Sequence, residues 1–68
     1  MNTFIITQII VTSESNNEIN LDHIIRVVIA QNKETAIGIF VIETQDIPAN
    51  KKLNINCYIL NEIITYQE

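Results

Sequence analysis

Between Thr3 and Ser13 the chain reads Thr-Phe-Ile-Ile-Thr-Gln-Ile-Ile-Val-Thr-Ser, β-branched or aromatic at nearly every position. Side chains that are stiff at χ1 fit a pleated surface, so this run predicts a strand. Alternation sends Ile5, Ile9 and Val11 to one face and Phe4, Ile6 and Ile10 to the other. A strand that is apolar on both faces belongs in the middle of its sheet, flanked by strands that hide its edges. The rest of the chain must therefore supply at least two more strands and a cover.

A polar run, Glu14-Ser15-Asn16-Asn17-Glu18, supplies the turn after this strand, because asparagine tolerates the left-handed conformations of hairpin loops. The second strand is expected from about Ile19 to Gln31. Ile19, Leu21, His23, Ile25, Val27 and Ile29 form one face and Asn20, Asp22, Ile24, Arg26, Val28 and Ala30 the other. The first set, being the more apolar, is read as the core face.

Asn32 can accept a hydrogen bond from a free amide of a first helical turn, and Glu34 complements the dipole there. A helix is expected over about Lys33 to Gln45, with an apolar stripe at Ala36, Ile37, Phe40, Val41 and then Ile47. The rival reading is a strand, since Ile-Phe-Val-Ile is β-prone and periodicity alone does not settle a short apolar run. Pro48 and the Lys51-Lys52 pair close the segment. The last strand is expected from about Leu53 to Thr65, with Leu53, Ile55, Cys57, Ile59 and Ile63 facing the core. The order is ββαβ, a small α+β domain spanning residues 1–68, with a three-stranded, mostly antiparallel sheet and one helix on one face. This outline, with Ala30, the Asn32 cap, Glu34 and then Ala36-Ile37-Gly38, resembles many small ββαβ proteins. Among them are accessory proteins carried by phages and mobile elements. The resemblance implies an accessory or inhibitor role and carries over no functional residue.

Composition narrows the chemistry. With 68 residues, 16 of them isoleucine, and only 18% charged, the chain is a folder with no room for a grafted catalytic domain. Four basic against eight acidic side chains leave a net charge of −4, which disfavours nucleic acid as a partner. The acidic groups are scattered, so mimicry of a phosphate backbone is also disfavoured. The apolar runs are too short to span a membrane, the first residues lack a basic region, and the single cysteine has no partner, so a cytoplasmic location is expected. One glycine excludes a phosphate-cradling loop. Gly38 inside a helix suggests a close approach of another backbone.

Few residues carry site chemistry. Asp22 and His23 are adjacent, so in a strand they point to opposite faces and share no ligand. Cys57 and His23 are assigned to one face. A Cys-His nucleophile is feasible only if the second and third strands are neighbours. One His and one Cys do not assemble a zinc site within one chain, and no metal or other cofactor is expected. The feature in excess is apolar surface. Val28, Tyr58, Leu60, Ile64 and Tyr66 are read as lying on the sheet face opposite the helix, where a partner would cover them. The expected function is accordingly non-enzymatic: protein–protein association, with a homo-oligomer favoured. The alternatives are a homo-oligomer binding a small molecule between subunits and, behind it, a minimal enzyme using His23 or Cys57.

Overall fold

The computed structural model describes residues 1–60. It contains β1 (Asn2–Ser15), β2 (Glu18–Ala30), α1 (Lys33–Glu43), a single helical turn at Ala49–Lys51, and β3 (Lys52–Ile59). The sheet order is β2-β1-β3, and β1 runs antiparallel to both neighbours. The strand with two apolar faces is thus the central one. The chain is an α+β ββαβ fold, with the helix on one side of an open three-stranded sheet.

The β1–β2 hairpin closes through Asn16 and Asn17, at φ of 43° and 71°. Positive φ at both central positions is the geometry of a type I′ turn, whose twist matches that of paired strands. Within β1 the register slips between Val11 and Ser13, so Thr12 is an extra residue. Its hydroxyl donates to the Asn20 carbonyl at 3.1 Å, and the Asn20 amide donates to Ser13 Oγ at 2.6 Å. This bulge decides which side of β2 meets the core. Beyond it Phe4 stands opposite Val28 and Ile6 opposite Arg26. A hairpin without the extra residue would set Phe4 against Ile29 instead, and a slip of one residue exchanges the two faces of a strand.

The core is accordingly Phe4, Ile6, Val28, Ala30, Ala36 and Phe40, with Ile24, Ile37, Ile39, Cys57 and Ile59 packed around it. The assignment of Ile19, Leu21, Ile25, Val27 and Ile29 to the core is corrected: all five lie more than half exposed on the opposite face. Ala30 and Ala36 are small, which lets the helix lie close on β2 and brings the Phe40 ring, fully buried, over Phe4 and Ile6.

The helix begins where Asn32 predicts. Asn32 Oδ1 accepts from the Thr35 N–H at 2.8 Å, and its backbone carbonyl takes the Ala36 N–H. It ends at Glu43, two residues before the expected Gln45, because Thr44 caps it. The buried Thr44 hydroxyl donates to the Phe40 carbonyl at 2.9 Å and receives Lys52 Nζ at 3.1 Å, bringing a cation to the negative end of the helix. Val41, expected in the buried stripe, is exposed. Gly38 is also exposed, and a methyl group built on it meets nothing within 4 Å, so it serves no close backbone approach. Gly38→Ala should therefore stabilise the fold by about 0.5–1 kcal/mol through the unfolded-chain entropy it removes, visible as a raised urea midpoint with an unchanged slope.

On the other side of β1, the pairs Phe4↔Ile59, Ile6↔Cys57 and Gln8↔Ile55 put Ile55, Cys57 and Ile59 on the helix side as expected. Leu53, expected with them, is exposed beside a second register slip. There the buried Gln8 amide donates to the Leu53 carbonyl at 2.9 Å. The strand closes at Ile59, and the part of the expected strand beyond residue 60 lies outside the described residues.

Candidate functional site: the uncovered sheet face

Helix α1 covers one side of the sheet, and among the described residues no element covers the other. The register lays that face out in rows. Ile29 stands beside Thr3, Val27 beside Ile5 and then Tyr58, Ile25 beside Thr7 and then Asn56. His23 stands beside Ile9, and Leu21 beside Val11. Ile25, Val27 and Ile29 are 60%, 64% and 62% exposed, and Tyr58 49%. These are large side chains in one contiguous sheet, and soluble monomers seldom leave such a patch open.

Charge is arranged the other way. Asp22, Arg26 and Lys52 belong to the helix-side set of their strands. The exception is Glu14, which stands beside Ile19 at the hairpin end of the uncovered face, past the bulge, and pairs with Lys51 at 3.8 Å. The rows just described carry no formal charge when His23 is neutral, in a chain of net charge −4.

Of the residues expected to meet a partner, Tyr58 lies on this face. Val28 does not: it is 5% exposed in the core beneath the helix, because the bulge at Thr12 turns it inward. Leu60 is half-buried just past the end of β3, and Ile64 and Tyr66 lie outside the described residues. Leu21, Ile25, Val27 and Ile29 are the surface residues that sequence reasoning missed. Their signal was present as strict alternation, and only its direction was misread.

The structure does not bring His23 and Cys57 together. His23 pairs with Ile9 on the uncovered face and Cys57 with Ile6 on the helix side, with β1 between their strands. Burial pushes the Cys57 thiol above its ordinary range, and the Lys33 ammonium only partly offsets this, so little thiolate is present at neutral pH. His23 donates its backbone N–H to the neighbouring Asp22 carboxylate at 2.8 Å. Among the described residues, no three His, Cys, Asp or Glu side chains converge on a point where a metal could sit. The hollow at the hairpin tip, lined by Glu14, Ser15, Asn16, Asn17, Glu18 and Ile19, is shallow and open to solvent.

Comparison with protein-family models, with curated proteins and with solved structures finds no match. The function must be argued from the surface itself. Among the described residues, no helix is long and apolar enough to cross a membrane.

Proposed function

We propose that this chain works by association rather than by catalysis: a small acidic binding protein that pairs through its uncovered sheet face, as a homo-oligomer in the cytoplasm. The observation that carries the reading is the row Val27, Ile5, Tyr58 with its flanking Ile25 and Ile29, an apolar, uncharged surface on an otherwise charged chain.

Static light scattering of the purified chain across micromolar concentrations is the test. The expected mass is at least twice 7.8 kDa, falling toward the chain mass on dilution. A mass of one chain at every concentration would falsify the self-association reading.

A further inference from the structure

We propose that Asp22 and Arg26 close the outer edge of β2 against strand addition, so that copies of this chain do not extend one another's sheets. The inference concerns an edge and not a face, and it stands apart from the self-association reading above.

Which groups this edge offers follows from the hairpin. Across a two-residue type I′ turn the flanking residues, here Ser15 and Glu18, exchange both of their backbone hydrogen bonds. Alternation along β2 then turns the amides and carbonyls of its even-numbered residues toward β1. Those of Ile19, Leu21, His23, Ile25, Val27 and Ile29 point outward, where β2 ends the sheet. The strand runs from Glu18 to Ala30 without a proline or a glycine. A free edge of that length and composition is a template for another strand unless something occupies it.

Its middle is occupied. The His23 N–H donates to the Asp22 carboxylate at 2.8 Å, and the Arg26 guanidinium donates to the Ile25 carbonyl at 3.1 Å. Both backbone groups belong to the outward set, so each charged side chain lies along the edge on a group that an incoming strand would need. That strand would have to break two charge-assisted hydrogen bonds to make neutral ones in their place. What remains free on either side is short: Ile19 and Leu21 toward the hairpin, Val27 and Ile29 toward the helix. Neither stretch reaches the length of an ordinary strand pairing. Charged side chains on an edge are a common means of keeping sheets from joining, and here the two charges sit on the central rungs.

Replacing Asp22 and Arg26 together by alanine removes both covers and leaves the net charge at −4, since one acid and one base are lost. Both side chains are exposed, so the fold should stand, and alanine adds no strand propensity. The full chain, this double variant and Glu14→Ala/Lys51→Ala, which removes an ion pair elsewhere, should be compared at equal concentration. Circular dichroism first checks the fold, and light scattering and thioflavin T fluorescence then follow growth. The Asp22→Ala/Arg26→Ala chain should grow to about ten times the parent's mass or more and bind the dye, while parent and control keep their masses. Adding Ile25→Pro takes away an outward N–H at a place where an edge strand tolerates proline, and should stop the growth. A double variant that keeps the parent's mass overturns the proposal. One that falls below it also does, since the two side chains would then join copies instead of holding them apart. Growth that Ile25→Pro leaves unchanged runs through another surface and overturns it too.

Discussion

Phe40→Ala should cost about 3–5 kcal/mol and leave the chain largely unfolded at room temperature. Phe40 is fully buried and is the largest side chain the helix contributes to the core, where it meets Phe4 and Ile6. The small neighbours Ala30 and Ala36 cannot grow into the space its ring leaves, so the cavity would persist. A domain of this size has a total stability of about 3–10 kcal/mol, of which the loss is a large fraction. Far-UV circular dichroism and urea titration read the outcome. Val41→Ala, one residue along and exposed, is the control and should change stability by less than about 1 kcal/mol. Equal losses at the two positions would mean that the helix buries a different face.

The parts of the fold that were legible are those whose cause is local. Asn32 caps the helix because its side chain lies within reach of one amide three residues on, and that relation needs nothing but sequence spacing. The central place of β1 follows from its two apolar faces, since only flanking strands hide both of its edges. What was misread depends on a single inserted residue. Thr12 carries no signal of its own, yet it shifts the pairing so that Val28, rather than Ile29, stands beside Phe4, and the face of β2 that holds Val28 and Ala30 joins Phe4 and Ile6 in the core. With apolar side chains on both sides of β2, the more apolar set looks like the core, and here it is the outer surface. The β2–α1–β3 connection joins two strands that are parallel to each other with β1 between them. The hand of such a crossover is nearly invariant, so chain direction, not the hydrophobicity of β2, selects the side on which the helix lies. Gln8 was likewise unreadable, because the carbonyl that satisfies its buried amide, that of Leu53, lies 45 residues along the chain.

Lysine placed at two adjacent positions of β2 should therefore give opposite results. Val27 is 64% exposed on the uncovered face, so in Val27→Lys the ammonium stands in water in the single chain and the fold should lose no more than about 1 kcal/mol. In a pair formed through this face the same ammonium is set against the apolar rows of the other copy, and by symmetry there are two of them. The assembly should weaken at least a hundredfold, leaving a folded monomer with the helical and strand signals of the parent. Val28 is 5% exposed beneath the helix. Val28→Lys buries an unpaired charge among Phe4, Ala30 and Phe40, a cost of several kcal/mol that this small domain cannot absorb, and the chain should unfold. Circular dichroism reports the fold and light scattering the mass, so each protein is read twice. A Val27→Lys chain that keeps the parent's assembled mass would show that pairing lies elsewhere. A folded Val28→Lys with an unfolded Val27→Lys would reverse the two faces of β2, and with them the side of the sheet that meets a partner.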